Sequence, residues 1–373
     1  MRKPVYTRAL LEAGLFLLLA SLLIAATCNQ PFGPTTTGNG PVSKIYNAFG
    51  DSIAAGYKAT STTPGQIKSY VGYYADEAAI DRNWTITYRG ITTSGETTPQ
   101  INSRMLSNLS RLKEAAIFSW DAGGNDFLGA RDAYASNCSV SQLDSALNTW
   151  RADWDALIDT VRNSVGLTAS APPIIRTMNV YYPNPDQDKG RVCSGQRNRF
   201  EIMLPRLLAA GDYMCSSAER YGWRCADTFA VMNCNEDANG NPAFNCPNKR
   251  YIQRLVDQGI CPRNVTSPSF RESSISVACI TAHLDATGDW SAFRDPVSVT
   301  KNGQTLTLIQ TKDYTHPNEA GHARIGHAHH LTGYDDLEGD LVENNYALCT
   351  DRQDNDGDGN VDCADSGCAN YCQ

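Results

Sequence analysis

The stretch Phe49-Gly50-Asp51-Ser52 follows an apolar run over residues 45–49 and precedes a segment of small residues over 53–57. This pattern predicts a buried strand that ends at a glycine and delivers a serine into the following turn, at the edge of a sheet. A serine hydroxyl in that position can act as a nucleophile when a base can reach it. Because Gly-Asp-Ser is also ordinary turn chemistry, the prediction depends on what the rest of the chain supplies.

Strand-like and helix-like segments alternate along the chain. The predicted strands are residues 44–48, 84–88, 115–120, 173–182 and 225–232. Helical spacing is found over 69–80, 200–221 (where Pro205 should kink or delay the helix) and 318–331. It is clearest in Leu143, Leu147, Trp150, Trp154, Leu157, Ile158 and Val161, which predict one buried helix face. The alternation predicts an α/β domain with a parallel sheet.

Length and charge narrow the functional classes. The chain has 373 residues, 41% of them hydrophobic, so it can bury one large core or two. Its formal net charge of −8 argues against nucleic acid and against anionic membrane surfaces as main partners.

Residues 1–28 are predicted to be a signal peptide. Arg2, Lys3 and Arg8 form a basic start, and residues 15–26 are almost entirely apolar. Cleavage could fall within residues 25–27, or just before Cys28, which would then carry a lipid that anchors the protein to a membrane. An uncleaved single-span anchor is the third alternative. Residues 29–41, rich in Thr, Gly and Pro, are predicted to be a flexible linker, so the protein is expected to be secreted, cell-surface or periplasmic.

Thirteen cysteines in an exported chain predict disulfides. Apart from Cys28, eight lie between Cys138 and Cys279 and four between Cys349 and Cys372, enough for up to six bridges whose connectivity stays open. Zinc is the weaker alternative, because paired Cys-x-x-Cys knuckles are missing. Four of the cysteines fall in residues 233–295, which break the α/β rhythm and are predicted to be a disulfide-rich insertion. Residues 297–309 then form a predicted hairpin around Asn302-Gly303.

A base and its partner stand far downstream of Ser52, in Asp313-Tyr314-Thr315-His316-Pro317. Ester hydrolysis by serine needs a neutral imidazole to take the hydroxyl proton and donors aimed at the developing oxyanion. His316 can supply the imidazole, and Asp313 can orient it. The backbone N–H groups of Ser52 and Gly95 and the side-chain amide of Asn125 are candidate donors.

These residues occur in the order of the four sequence blocks of the SGNH (GDSL-type) hydrolases, which the chain resembles over roughly residues 42–332. The blocks are Gly50-Asp51-Ser52, a loop glycine, Gly123-Gly124-Asn125-Asp126 and Asp313-x-x-His316-Pro317. The resemblance implies a flavodoxin-like three-layer α/β/α sandwich with a parallel sheet, an acyl-serine mechanism and no metal or cofactor in catalysis. It implies Ser52 as nucleophile, His316 as base, Asp313 as its orienting acid, and Gly95 and Asn125 as oxyanion donors. The hydrolase domain is expected over residues 42–345.

The choice of the oxyanion donor in the second block is open. The second block holds both Gly90 and Gly95; the Ser-Gly-x-Thr context favours Gly95, with Gly90 as the alternative. The chain has no Gly-x-Ser-x-Gly elbow, which argues against the α/β-hydrolase fold.

Four histidines near the end of the domain suggest a metal cluster, but a solvated helix face is favoured, with His322 packing at the helix start. They are His322, His327, His329 and His330.

Residues 346–373 form a Cys- and Asp-rich tail with a candidate calcium loop. Its spacing is that of an EF-hand-like loop, with a turn-forming Gly359. The candidate ligands are Asp354, Asp356, Asp358, Asn360, Asp362 and Asp365. The tail resembles the calcium repeats at the ends of some secreted bacterial proteins. The alternative is an acidic surface knot tied by disulfides.

The function predicted from sequence is therefore an exported serine ester hydrolase. Its substrate could be a small-molecule ester, a lipid or an acylated polysaccharide, since loops decide the pocket. Two alternatives stay open. One is an acyltransferase or a polysaccharide deacetylase on the same scaffold. The other is a non-catalytic, calcium-dependent surface-binding protein.

Overall fold

The computed structural model describes most of the chain between residues 41 and 331. The described residues are 41–59, 69–82, 84–164, 173–193, 195–233, 252, 255–256, 258–264, 274–293, 295–296, 299–301, 304–306, 308–310 and 313–331. The predicted signal peptide and tail, and all but the last residue of the predicted linker, lie outside this part.

Five strands form the central sheet. They are β1 (Val42–Gly50), β2 (Trp84–Thr92), β3 (Ile117–Trp120), β4 (Ile174–Met178) and β5 (Arg224–Ala226). The helices are α1 (Tyr70–Arg82), α2 (Thr98–Leu106), α3 (Leu109–Glu114), α4 (Gly124–Asn137), α5 (Val140–Ser164), α6 (Pro185–Lys189), α7 (Arg199–Glu219), α8 (Thr228–Asn233), α9 (Val277–Thr287) and α10 (Glu319–Leu331). Two short antiparallel pairs complete the described elements: β6 (Arg263–Asn264) with β7 (Ser274–Ile275), and β8 (Val299–Lys301) with β9 (Gln304–Leu306).

The strand order in the sheet is β2-β1-β3-β4-β5. β1 pairs with β3, β3 with β4 and β4 with β5, all parallel; Phe49 lies opposite Trp120, for example. This is the flavodoxin-like order, in which the connections switch sides between β1 and β3 and leave a crevice at the carboxyl ends of those strands. The predicted fold class is confirmed, and the turn that carries Ser52 lies at that crevice.

Alternate side chains of the central strands face opposite layers of helices. On one face Phe49, Phe118 and Trp120 join a core built mainly with α4, α5 and α7. On the other face Tyr46 and Ile117 join a second core with α1 and α10. The sheet is therefore the middle layer of a three-layer α/β/α sandwich.

The predicted buried helix is α5, and its seven apolar residues are all buried. At its start the Ser139 hydroxyl accepts a hydrogen bond from the backbone N–H of Gln142, at 3.3 Å. Of the kink or delay predicted at Pro205, the delay is wrong, because helix α7 begins at Arg199 and continues through Pro205. The start at Arg199 is fixed by Asn198, whose side chain accepts from Glu201 N at 2.8 Å.

The strand predicted over residues 225–232 is wrong beyond Ala226. β5 ends at Ala226, and α8 begins at Thr228. The cause is Asp227, whose Oδ1 accepts a hydrogen bond from the backbone N–H of Ala230 at 3.0 Å and so starts a helical turn. Asn179 supports the same turn, because its Oδ1 accepts from Phe229 N at 2.9 Å.

Disulfides are confirmed among the described cysteines. The bridges are Cys138–Cys193, Cys215–Cys225 and Cys261–Cys279. The last lies inside the predicted insertion, whose described part adds buried side chains such as Ile280 and Phe293 to the core on the α7 side of the sheet. The predicted hairpin is confirmed as β8–β9, with Lys301 opposite Gln304. Within the described ranges, no helix has the length and apolar character that crossing a membrane requires.

Candidate active site

A glycine allows the chain to turn sharply at the end of β1. A Cβ placed on Gly50 would lie 1.8 Å from Asp121 Oδ1, far inside any allowed contact. Asp121 directly follows β3, the strand next to β1. Only a glycine at position 50, which has no side chain, leaves room for Asp121. The turn then places Ser52 at the sheet edge, with 6% of its surface exposed.

Ser52, His316 and Asp313 form one hydrogen-bonded chain. Ser52 Oγ lies 2.9 Å from His316 Nε2, and His316 Nδ1 lies 2.8 Å from Asp313 Oδ2. A carboxylate only accepts hydrogen bonds, so the proton of the neutral ring resides on Nδ1 and Nε2 is free to accept from the serine hydroxyl. Ser52 and His316 are 264 positions apart in the sequence, and the fold brings these predicted residues together.

The loop that carries His316 is held at several points. Asp313 Oδ1 accepts from the backbone N–H groups of Thr315 and His316, each at 2.9 Å. The Tyr181 hydroxyl donates to the carbonyl of Thr315 at 2.6 Å, which ties the loop to the segment after β4. Tyr57 packs edge-on against the imidazole, with ring centroids 4.7 Å apart. The imidazole is therefore fixed in position before any ligand arrives.

The environment of Asp313 keeps it ionised. Burial alone would raise its pKa, but hydrogen bonds from the backbone and ring of His316 and from the backbone of Thr315 lower the pKa of Asp313 to about 2. Lys58 Nζ lies 3.2 Å from Asp313 Oδ2. Because the Lys58 side chain is 43% exposed, this ion pair contributes less than about 1 kcal/mol.

Asn125 and Gly95 are the other two residues predicted for the site. Asn125 lies at the start of α4, and its Nδ2 donates to Asp51 Oδ2 at 2.9 Å and to the Glu96 carbonyl at 2.8 Å. Gly95 sits in the turn just before Glu96 with φ of +85°, a conformation that favours glycine. Gly90, the alternative, lies inside β2.

A family model described as GDSL-like lipase/acylhydrolase matches residues 46–329 of the sequence. That span covers well over half of the chain and includes the turn at Ser52, the Asn125 segment and the loop of His316. The chain belongs to the GDSL-like lipase/acylhydrolase family. Comparison with curated proteins gives no significant match.

The solved structures similar to this GDSL-like chain include a lipase, a phospholipase and an acetylxylan esterase. A lipase from a goat rumen metagenome shares 16% identity with a TM-score of 0.49, over 79% of this chain and 100% of that one. Phospholipase A1 from Streptomyces albidoflavus shares 20% identity with a TM-score of 0.36, over 51% and 81%. Acetylxylan esterase Axe2 from Geobacillus stearothermophilus shares 14% with a TM-score of 0.34, over 68% and 96%.

Two buried carboxyl groups, Asp51 and Asp121, lie beside the GDSL turn, and no sequence pattern indicated Asp121 as part of the site. Burial raises the pKa of Asp121 well above its usual range, and the neighbouring Asp51 raises it further. Burial also raises the pKa of Asp51, but hydrogen bonds from Ile53 N and from Asp121 oppose this shift. The pair therefore shares one proton, which Asp121 holds, and Asp51 remains the acceptor for the Asn125 amide.

A pocket opens directly beside Ser52 and His316. Its volume is about 100 Å³, and its lining comes from the ends of β1, β3 and β4 and from helices α4 and α7. None of the described residues of the predicted insertion lines this pocket. The sequence could not reveal the pocket, because its walls come from segments far apart in the chain.

The prediction of a solvated histidine face on α10 is wrong for His329, which is fully buried. His322 is also fully buried, and it packs at the helix start as expected. Burial lowers the pKa of each to about 3, so both are neutral. His327 is exposed, as predicted. Within the described ranges, no group of three or more His, Cys, Asp or Glu side chains is arranged to hold a metal ion, and the candidate calcium loop lies outside them.

Proposed function

We propose that this GDSL-like protein is a serine ester hydrolase that forms an acyl-enzyme on Ser52. The observation that carries the proposal is the hydrogen-bonded chain from Ser52 Oγ through His316 to Asp313. Family membership supports hydrolysis or acyl transfer at an ester as the reaction class.

The geometry gives each residue a role in the two half-reactions. Ser52 Oγ attacks the ester carbonyl while His316 Nε2 takes the hydroxyl proton, and His316 then returns that proton to the leaving alcohol. Asp313 stabilises the imidazolium that forms between these steps. Water, deprotonated in turn by His316, attacks the acyl carbon and releases the acid and free Ser52.

The oxyanion of each tetrahedral intermediate needs donors. We assign this role to the backbone N–H groups of Ser52 and Gly95 and to Asn125 Nδ2. Both hydrogens of the Asn125 amide already bind protein acceptors, so the oxyanion must share one of these hydrogens. The contact with Asp51 holds the amide at the site before the substrate arrives.

Turnover of p-nitrophenyl acetate by purified variants tests the reaction. Ser52→Ala and His316→Ala should each lower kcat by at least about 10⁴-fold, since removing either member disables the whole unit. Ser136→Ala, an exposed serine on α4, is the matched control and should retain activity. Equal turnover by Ser52→Ala and Ser136→Ala would contradict the proposal. Product analysis with an added alcohol acceptor distinguishes hydrolysis from acyl transfer.

We further propose that the protein is exported and that its tail binds Ca²⁺. The basic and apolar leader supports export, and the disulfides fit an oxidising compartment. The mass of the mature protein would show cleavage, with or without a lipid on Cys28. Calorimetric titration with Ca²⁺, beside an Asp354→Asn variant, tests the tail. Absence of heat in the intact protein would exclude the calcium loop.

A further inference from the structure

The pocket beside Ser52 is walled by aliphatic and aromatic side chains. Helix α4 contributes Phe127 and Leu128, helix α7 contributes Met203 and Leu207, and Val180 comes from the loop after β4. Phe127, Met203 and Leu207 are buried in the main core as well. A ligand group that enters here replaces water against apolar surface, which is favourable only for an apolar group.

The polar side chains in the pocket wall already have partners in the protein. The hydroxyl of Tyr181 donates to Thr315 O, and that of Tyr182 donates to Asp188 Oδ2, each at 2.6 Å. Asn179 Nδ2 donates to Asp227 Oδ1 at 2.9 Å. A hydroxyl-rich group such as a sugar would lose its hydration there without gaining these partners.

Arg131 marks the end of the apolar wall along α4. It follows Asn125 by six residues, a rise of about 9 Å along the helix. Its guanidinium donates to both oxygens of the buried Asp188, at 2.8 and 2.9 Å. With C–C bonds of about 1.5 Å in a zigzag, about six to eight carbons span that distance. A longer acyl chain would contact the guanidinium of Arg131, and it could not take over the ion pair of Arg131 with Asp188.

Outside the pocket lining, the side of His316 that carries Tyr57 is open and aromatic. Tyr57 packs against the His316 ring and Tyr314 lies two residues before His316, and they are 46% and 53% exposed. Because His316 protonates the leaving alcohol, that portion of the ester belongs on this open side. The enclosed pocket is then left for the acyl group, which stays attached to Ser52 while the alcohol departs.

We propose that the pocket between α4 and α7 binds an aliphatic acyl chain of medium length, and that Leu128 and Arg131 set its limit. This inference rests on the proposed acyl-enzyme at Ser52. It selects esters of medium-chain fatty acids as the substrate class, over acetylated polysaccharides and over long-chain lipids.

The first test is the kcat/KM of the wild-type protein on p-nitrophenyl acetate, butyrate, hexanoate, octanoate, laurate and palmitate. We expect kcat/KM to rise by up to about fourfold per added methylene as far as hexanoate or octanoate, and to fall for laurate and palmitate. A maximum at acetate or at palmitate, or a flat profile, would overturn the inference. A parallel series of alkyl acetates should show a weaker dependence on chain length; a stronger one would place the alcohol in the pocket.

Two tryptophan variants connect the profile to the pocket. Leu128→Trp narrows it and should lower the ratio of hexanoate to acetate kcat/KM by at least about tenfold. Leu106→Trp, on an exposed leucine that does not line the pocket, should leave that ratio within about twofold. Leu128→Ala should shift the maximum to a longer chain. Equal ratios in the two tryptophan variants would refute the assignment.

Labelling with a fluorophosphonate separates this inference from the proposed function. If Ser52 is labelled in the wild type and in both tryptophan variants while the ratios stay equal, only the acyl-site assignment is wrong. If Ser52 of the folded wild type is not labelled, the acyl-enzyme mechanism itself is wrong.

Discussion

His329→Phe tests the claim that a neutral histidine is buried where α10 packs against α1. His329 has no exposed surface, and its ring stacks on Tyr70 with centroids 4.7 Å apart and an interplanar angle of 15°. Neither ring nitrogen has a hydrogen-bond partner among the described residues. Burial, and to a smaller extent the charge of Arg176, lowers the pKa of His329 to about 3. Phenylalanine keeps the stacked ring and cannot take a proton.

The pKa difference sets the size of the effect. Between pH 6.5 and about 3 the unfolded chain binds a proton at His329 and the folded protein does not, so the free energy of unfolding falls as pH falls. The slope is about 1.4 kcal/mol per pH unit, which gives about 2 kcal/mol at pH 5 for each such histidine. His322 adds a similar loss in the wild type, and His329→Phe removes only one of the two contributions.

Urea unfolding of the disulfide-intact protein at pH 7.5 and pH 5, followed by tryptophan fluorescence, measures this difference. We expect the loss of unfolding free energy between the two pH values to be smaller by about 2 kcal/mol in His329→Phe than in the wild type. Leu106→Trp, which changes an exposed leucine and no titratable group, is the control and should retain the wild-type pH dependence. The reasoning is refuted if His329→Phe loses as much stability at pH 5 as the wild type does.

Substitutions at Gly50, Asp121 and Asp313 test the turn and the residues proposed for catalysis. Gly50→Ala forces a Cβ into Asp121 and should lower the free energy of unfolding by at least about 1–3 kcal/mol; an unchanged Tm in a thermal melt would contradict the contact. Asp121→Asn keeps a hydrogen-bond donor beside Asp51 and should retain most of kcat, whereas Asp121→Leu should lose it; equal losses would show that the donor is irrelevant. Asp313→Asn should lower kcat by about 10⁴-fold with an unchanged circular dichroism spectrum, since an amide there favours the wrong imidazole tautomer. A smaller loss than for Lys58→Met would contradict the assignment.

The sequence could predict which residues meet at the site because parallel strands deliver their loops to one edge of a sheet. Ser52 follows β1 and Asn125 follows β3, and these strands are neighbours in the observed order. The motif order therefore indicated both the fold and the residues that meet in it. The choice of Gly95 over Gly90 remains a prediction, although Gly90 lies within a strand.

The errors arise where a short local pattern has two solutions. Residues 225–226 and 228–230 are buried on both sides of Asp227, so periodicity could not distinguish one long strand from a strand followed by a six-residue helix. The cap at Asp227 decided the outcome. His329 was expected on a solvated face because its helix carries many polar residues, but α1 covers that position and Tyr70 stacks on it.

The pocket and its supporting charges depend on contacts between distant segments. Asp188 pairs with Arg131 on α4, 57 residues away, and with Arg199 at the start of α7. None of these residues belongs to a recognisable motif, and each would be read alone as a surface charge. Only the packing of α4 against α7 brings Arg131 and Arg199 to Asp188, and of the three Arg131 lines the pocket.

Covalent labelling decides whether Ser52 is the nucleophile. Intact-mass analysis after treatment with a fluorophosphonate should show one adduct on the wild-type protein, mapped by peptide analysis to Ser52, and none on Ser52→Ala. No adduct on folded, correctly oxidised wild-type protein, or the same adduct on Ser52→Ala, would contradict the account.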